Sequence, residues 1–427
     1  MSEATIALVV MLFALLFSSA PIAVALGLTT FAYFFYFTTI PLTQVPETLF
    51  NALNTFPLMA IPFFVLAATL MSRGGISERL TKVGIAAVGG FRGGLAMTAV
   101  LSCVFFAAIS GSSPATVVAV GTLLIPAMVR NGYSRDFSTG IVATSGSLGI
   151  LIPPSIPLIV FGIATEQSIG DLFIAGVVPG LFAGLLLLAM VVVVSRRRGY
   201  GSGENAFVMD RQEKLRAFRD AGLSLLLPLF VLGGIYGGIF TPTEAAAMAV
   251  FYALVVSLFV YREITVKDLG SILLASARTS AMVMFIIANG ILFSFVLTSE
   301  RVPNDITDAL LGLDLAPWSF LAMVTILLLI AGCFMETSSA ILIIAPILFP
   351  IAMELGIDPI HLGIIVVMNL EIGMITPPLG LNLFVASGLS GLSVLRVARS
   401  ALPSAAVLLF ALLVVTYVPW FTQVLLD

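Results

Sequence analysis

Residues 112–162 and 336–386 of this chain are two editions of one segment, offset by 224 positions (336 − 112) without a gap. In that register Pro126 falls on Pro350, Gly132 on Gly356, Gly149 on Gly373, and Pro153-Pro154 on Pro377-Pro378. Each copy begins at a hydroxyl-rich knot, Ser110-Gly111-Ser112-Ser113-Pro114 in the first and Thr337-Ser338-Ser339 in the second. Apolar composition can match scattered aliphatic residues, but it does not produce a shared framework of helix breakers. Interrupted apolar segments at equivalent places in two halves point to the binding site of a secondary transporter.

The sequence around the repeat fixes its solvent. Hydrophobic residues make up 60% and charged residues 10%, with a mean hydropathy of +1.16. A soluble protein has about a quarter of its residues charged. Uncharged apolar runs of about 17–25 residues recur from end to end, each long enough to cross a bilayer. They lack the period-2 alternation of a transmembrane barrel. The chain therefore reads as an all-α polytopic membrane protein. Its start has neither a basic n-region nor a small-residue cleavage site, so the first run reads as a retained span. Cys103 and Cys333 lie in separate apolar runs and read as buried free thiols. A net charge of −3 with no basic tail gives no support for nucleic-acid binding, and no phosphate-binding G-x-x-x-x-G-K-[ST] loop supports ATP hydrolysis.

Basic residues set the orientation. The densest cluster runs from Arg196-Arg197-Arg198 to Arg211, Lys214, Arg216 and Arg219, in the one long polar stretch, and the positive-inside rule assigns it to the cytoplasm. Working outward, spans near 4–20, 22–39 and 56–72 end inside at Arg73. Residues 94–130 leave and return to the cytoplasm, 136–165 crosses outward, and 172–195 comes back. In the second half, 220–239, 243–261 and 278–298 end outside at Arg301. Residues 316–355 leave and return on the outer side, 360–390 goes in, and 402–425 goes out. On this path Arg301 is the one external basic residue of 19. An odd number of crossings separates the two excursions, so the second copy is inverted relative to the first.

Each excursion has a polar tip, Gly111-Ser112-Ser113-Pro114 or Glu336-Thr337-Ser338-Ser339, without the Lys or Arg of a solvent loop. These read as re-entrant hairpins, since non-helical backbone at membrane depth must line a cavity or be buried. A tip exposes free carbonyls on one arm and free N–H groups on the other. Carbonyls and hydroxyls suit a hard cation such as Na⁺, and N–H groups at a positive dipole end suit a carboxylate. The plainer alternative is that these hydroxyls cap and pack helices. The breaks Gly149–Ser155 and Gly373–Pro378 free further carbonyls, near Thr144, Ser145 and Ser147 in one copy and Asn369, Glu371 and Thr376 in the other; a simple kink is the alternative. Glu336 and Glu371 are ionisable groups inside apolar segments, open to roles as cation ligands, proton carriers or paired acids. Ser112 and Ser147 stand at their places in the first copy. The lone His361 reads as the outer end of a span, with an interfacial role. Thr241-Pro242-Thr243-Glu244 reads as a capping box.

Ser110-Gly-Ser-Ser-Pro-Ala-Thr116, Gly146-Ser-Leu-Gly-Ile-Leu-Ile-Pro-Pro-Ser155, Phe240-Thr-Pro-Thr-Glu-Ala245 and Ile372-Gly-Met-Ile-Thr-Pro-Pro-Leu-Gly380 together resemble the large membrane subunit of a tripartite ATP-independent periplasmic (TRAP) transporter over essentially the whole length. The resemblance implies an inverted-repeat, elevator-type ion transporter fold with two re-entrant hairpins, in a bacterial inner membrane; the path set by the basic residues puts both termini on the periplasmic side. It implies scaffold helices in 1–92, a first transport repeat in 93–170 (hairpin 94–130, broken helix 136–165), and a scaffold helix with cytoplasmic linker in 171–219. Scaffold helices in 220–315, a second transport repeat in 316–392 (hairpin 316–355, broken helix 360–390) and a C-terminal helix in 393–427 complete it. The implied activity is Na⁺-coupled import of small organic acids such as C4-dicarboxylates or sialic acids, with Na⁺ as coupling ion and no cofactor. The implied partners are a separate small four-helix membrane subunit and a soluble periplasmic substrate-binding protein. Carried onto this chain, the Na⁺ set is Ser110, Ser112, Ser113, Ser145, Gly149, Thr337, Ser338, Gly373 and Thr376. The substrate set is Ser113, Pro114, Pro154, Ser155, Ser339, Pro378 and Asn382. Rival readings are a stand-alone Na⁺- or H⁺-coupled carboxylate transporter or antiporter, a passive channel, and an intramembrane enzyme with Ser112 or Ser145 as nucleophile and His361 as base.

Overall fold

The computed structural model describes all residues except 1, 2, 19, 39, 202–208, 312–315 and 427, so part of the expected 171–219 linker lies outside the described residues. Among the described residues every regular element is a helix. Among the described residues eight helices are long and apolar enough to cross a membrane, three of them hairpin arms. The protein is a multi-pass membrane protein.

The first hairpin pairs Gly94–Ser110 with Ser113–Arg130, and the second pairs Pro317–Phe334 with Thr337–Glu354. Each turns within two residues, Gly111-Ser112 or Met335-Glu336. The two broken spans follow their hairpins. Arg135–Gly146 passes through a tight 3₁₀ turn at Ser147–Ile150, breaks, and resumes as Ile156–Thr165. Pro359–Gly373 breaks and resumes as Leu381–Ser390. Both Pro-Pro bonds, Pro153–Pro154 and Pro377–Pro378, are cis.

The first arms of these broken spans occupy the centre of the molecule. Phe137–Gly146 and Ile360–Gly373 are buried on every side, polar residues included, enclosed by other helices. Helix Val394–Tyr417 packs on Arg135–Gly146, and helix Ile169–Arg198 packs on Val394–Tyr417, Gly94–Ser110 and Pro359–Gly373. On another side, Ala60–Arg73 packs with Pro242–Val255 and with the long helix Val266–Ser299, which also meets Thr337–Glu354.

The Thr241 box forms as expected: the Thr241 N–H donates to Glu244 Oε2 at 2.8 Å, and the Glu244 N–H donates to Thr241 Oγ1 at 3.3 Å. One expected span is longer than read. Val266–Ser299 has 34 residues and starts well before 278, because Thr265 and Asp268 form another capping box upstream. The short helices Gln44–Leu53, Ile76–Val88, Arg211–Asp220 and Val302–Leu311 were outside the span reading. They are polar or amphipathic and too short to cross; Ile76–Val88 lies along the first hairpin.

Candidate functional site

The site grows from the point where each hairpin tip meets the break of its own repeat. Helix Gly94–Ser110 ends at Gly111, whose φ of +58° is a left-handed conformation suited to glycine. A Cβ there would also stand 2.9 Å from the Pro154 carbonyl oxygen. The Gly111 carbonyl instead accepts the Ile156 N–H at 3.3 Å, tying the tip to the far side of the break. Gly149 lies against the same tip: a Cβ on it would meet Thr116 Oγ1 at 2.7 Å and the Ser112 carbonyl at 3.3 Å. Since the break falls midway along the span, the tip sits at the same depth.

Oxygens gather here. The Ser112 carbonyl accepts the Thr116 hydroxyl at 2.8 Å and the Ser110 hydroxyl at 3.3 Å, and Ser110 Oγ lies 3.0 Å from Thr116 Oγ1. Ser112 is the N-cap of its helix, yet its side chain makes no capping bond. Neutral hydroxyls and carbonyls are hard donors of the type that bind Na⁺ at broken helices. Among the described residues no three His, Cys, Asp or Glu side chains gather as a metal cluster.

The second tip is built differently. Met335, at the place of Gly111 (335 − 111 = 224), is extended, and the Gly380 N–H donates to the Cys333 carbonyl at 3.1 Å, the counterpart of the Ile156 bond. Glu336 caps its helix, accepting the Ser339 N–H at 3.1 Å and the hydroxyls of Ser338 and Ser339 at 3.0 and 3.3 Å. The Thr337 hydroxyl donates to the Met374 thioether at 3.0 Å, and the Thr376 hydroxyl donates to the Ile372 carbonyl at 2.8 Å. Gly373 crosses Gly332 so closely that a Cβ on Gly373 would be 2.5 Å from Gly332 Cα.

Between the repeats the side-chain amide of Asn382 donates to Ser113 Oγ, to Ser147 Oγ at 3.3 Å and to Glu371 Oε1 at 3.1 Å. All four residues are buried. In front of them a cavity of about 510 Å³ is lined by both tips (Ser110 to Ala115, and Glu336 to Ser338), by Glu371 and Met374, and by Thr69, Arg73, Thr279 and Met282 of the facing helices.

Comparison with known proteins decides the family. The model of the tripartite ATP-independent periplasmic transporter DctM component matches residues 9–421. The chain belongs to this family. Over 371 residues it is 53% identical to the C4-dicarboxylate TRAP transporter large permease protein DctM of Pseudomonas aeruginosa, covering 87% of this chain and 86% of that one. Over 434 residues it is 46% identical to the protein of the same description from Vibrio cholerae, covering 97% and 95%. The YdaH transporter of Alcanivorax borkumensis has the same fold at a TM-score of 0.64, with 15% identity and 98% of both chains covered. The protein is a transporter and not an enzyme. His361 fits that conclusion: its ring is buried, with Nδ1 2.8 Å from Thr422 Oγ1 and Nε2 3.2 Å from the Thr416 carbonyl. Those partners make it a packing link inside the helix bundle rather than the interfacial residue expected from its place in the sequence.

In this TRAP large subunit, Ser110, Ser112, Ser113, Pro114, Thr337 and Ser338 of the expected sets line the cavity. Gly149, Gly373 and Thr376 lie in the breaks behind the tips, and Ser145 is buried within the first central helix. Ser155 caps Ile156–Thr165 by accepting the Leu158 N–H at 3.3 Å, and Ser339 is bonded to Glu336. Pro154 is buried, Pro378 is exposed, and Asn382 is enclosed in the amide network. Thr69, Arg73 and Thr279 went unnoticed in the sequence as lining groups, because they belong to the helices facing the repeat. Thr116 had a signal: it follows Ser112 and Ser113 by one helical turn. Glu371 had one too, since it stands 224 positions after Ser147, but nothing in the sequence announces that the two meet at Asn382.

Proposed function

We propose that this chain is the permease of a Na⁺-driven importer that carries small organic acids of the C4-dicarboxylate type across a bacterial inner membrane. The observation behind the reading is the shared cavity: hydroxyls and helix starts from both mirrored tips face one space, closed on the other side by helices outside the repeat. Na⁺ binds the oxygens of the tips and breaks and orders them, after which a carboxylate takes up the N–H groups at the starts of Ser113–Arg130 and Thr337–Glu354. Arg73, the one basic residue among the described residues of the cavity wall, supplies positive potential toward the side that the arginine clusters assign to the cytoplasm. The names of the relatives at 46% and 53% identity favour the C4-dicarboxylate class over sialic acids.

The moving body in this proposal is the pair of hairpins with both broken spans. Helices Ile169–Arg198 and Val394–Tyr417 travel with them, since they pack on the central helices. That grouping takes Ile169–Arg198 out of the scaffold, to which the resemblance assigned it. Ala60–Arg73 and Val266–Ser299 stay fixed. A small membrane subunit supports the fixed helices and a periplasmic binding protein delivers substrate.

Proteoliposomes containing this chain and its small subunit, with the binding protein outside, test the proposal by uptake of a labelled C4-dicarboxylate under an imposed Na⁺ gradient. Uptake should need inward Na⁺ and the binding protein, and Ser113→Ala or Thr376→Ala should raise the Na⁺ concentration for half-maximal rate. Equal uptake without Na⁺ rejects the coupling. Uptake without the binding protein favours a stand-alone carrier.

A further inference from the structure

Ser147 and Glu371 are equivalent residues of the two repeats (371 − 147 = 224), and both touch the same amide, Asn382. The pseudo-symmetry that inverts one repeat onto the other therefore sets these two positions against each other, with Asn382 between them. The position of Asn382 in the first repeat is Leu158 (382 − 224), a buried apolar residue. The linking group is thus present once.

Its bonds reach every part of the candidate site. The side chain contacts Ser113 on the first tip, Ser147 two residues before Gly149 in the first break, and Glu371 two residues before Gly373 in the second break. The backbone N–H of Asn382 donates to the Met374 carbonyl at 3.2 Å, and the Met374 thioether accepts from Thr337 on the second tip. One residue thus joins two tips and two breaks through hydrogen bonds, with 0% exposure. The amide has two protons for three acceptors. A shift of the Ser113 tip reassigns those protons between Ser147 and Glu371, so a rearrangement at one break is transmitted to the other. In a buried network such reassignment is costly to leave incomplete.

We infer that Asn382 is a positioning residue that couples the ion locus of the first repeat to that of the second, with Glu371 as its partner on the second break. Binding of Na⁺ at one tip then strengthens binding at the other, and by linkage the effect runs equally in both directions. The inference rests on the Na⁺ reading given above and adds to it the route between the sites.

The test follows equilibrium binding of radiolabelled Na⁺ to the full chain, co-purified with its small subunit in nanodiscs, against total Na⁺ at constant ionic strength with choline as the balancing cation. The unsubstituted protein should give a Hill coefficient of about 2, the limit for two coupled sites. Asn382→Ala and Glu371→Ala should bring it to about 1 and raise the half-saturating Na⁺ about fivefold or more. Glu371→Gln, which keeps an acceptor for the amide, should restore the cooperative response. Ser147→Ala removes only one acceptor, and it serves if the other variants do not fold; it should lower the coefficient part-way. Wild-type coefficients in Asn382→Ala and Ser147→Ala overturn the coupling and leave the Na⁺ reading intact, as does a Glu371→Gln no better than Glu371→Ala. An unsubstituted protein that retains no more radiolabelled Na⁺ than empty nanodiscs overturns the Na⁺ reading and the coupling with it.

Discussion

In the first repeat the break from Gly149 to Ser155 is buried throughout, whereas in the second Pro377, Pro378 and Leu379 are exposed. The chemistry differs in parallel. Ser112 and Ser147 of the first repeat are replaced at the matching positions by Glu336 and Glu371, and the left-handed Gly111 by an extended Met335. What the repeats share is the set of positions where backbone hydrogen bonding stops. Breakers act on the backbone directly and are needed for the tips and breaks to meet at all. The groups that fill the resulting space can diverge, so an inverted pair of scaffolds holds one neutral locus and one acidic locus.

The largest effect expected from this comparison concerns the paired glycines. A Cβ at Gly373 meets only backbone, with Gly332 Cα at 2.5 Å, Gly332 C at 2.6 Å and Cys333 N at 3.0 Å. At Gly149 the nearest atom is the Thr116 hydroxyl at 2.7 Å, a side chain that can turn. Overpacking a close-packed interior costs about 1–3 kcal/mol. Gly373→Ala should fall at the upper end of that range and Gly149→Ala at the lower, measured by reversible unfolding in mild detergent. Gly149→Ala should instead act on Na⁺ affinity, since Thr116 leaves the oxygen cluster when it turns. If Gly149→Ala is the more destabilising of the two, the second repeat is not the tighter crossing.

How much of this was legible before folding depends on where each signal resides. The breakers are intrinsic to single residues, so the inverted repeat, both hairpins and both broken spans could be read directly. Charge clusters are similarly local and marked the ends of spans. The helix Ile76–Val88 was lost because an amphipathic segment between two apolar runs resembles a loop in hydropathy. The 34-residue length of Val266–Ser299 turned on the Thr265–Asp268 cap, a pair of residues that reads equally well as a turn. The Asn382 network was beyond reach for a different reason. Its members are spread over positions 113 to 382, and only the facing of one repeat against the other brings them together.

A second, smaller contrast separates Ser155 from its counterpart Leu379 (379 − 155 = 224). Ser155 is fully buried and caps Ile156–Thr165, while Leu379 is 46% exposed and bonded to nothing through its side chain. Loss of a serine cap costs about 1 kcal/mol. Ser155→Ala should therefore destabilise by about that much, and Leu379→Ala by no more than about 0.5 kcal/mol, as for other exposed positions. A Ser155→Ala variant of unchanged stability and weakened substrate affinity would instead assign Ser155 to the substrate, as its place in the sequence motif suggested.

The smallest effect is electrostatic and again belongs to one repeat. Asp136, in the first turn of the first central helix, forms a two-pronged ion pair with Arg396 at 2.6 and 2.9 Å, joining that helix to Val394–Tyr417. Its counterpart in the second repeat is Ile360 (136 + 224), which cannot pair. The side chains remain 38% and 62% exposed, so this is a surface ion pair whose contribution is small and weakens with salt. The Arg396 guanidinium holds the Asp136 carboxyl below the usual carboxylate range. A folded-state value below the unfolded one, about 3.9, means the contribution is complete above that unfolded value and fades as pH falls through the folded value. The stability difference between the unsubstituted protein and Arg396→Ala should accordingly stay level from about pH 5 upward and shrink below about pH 4. A difference that grows in acid, or that matches the effect of Ile360→Ala at every pH, would mean that packing rather than charge distinguishes the two repeats at this end.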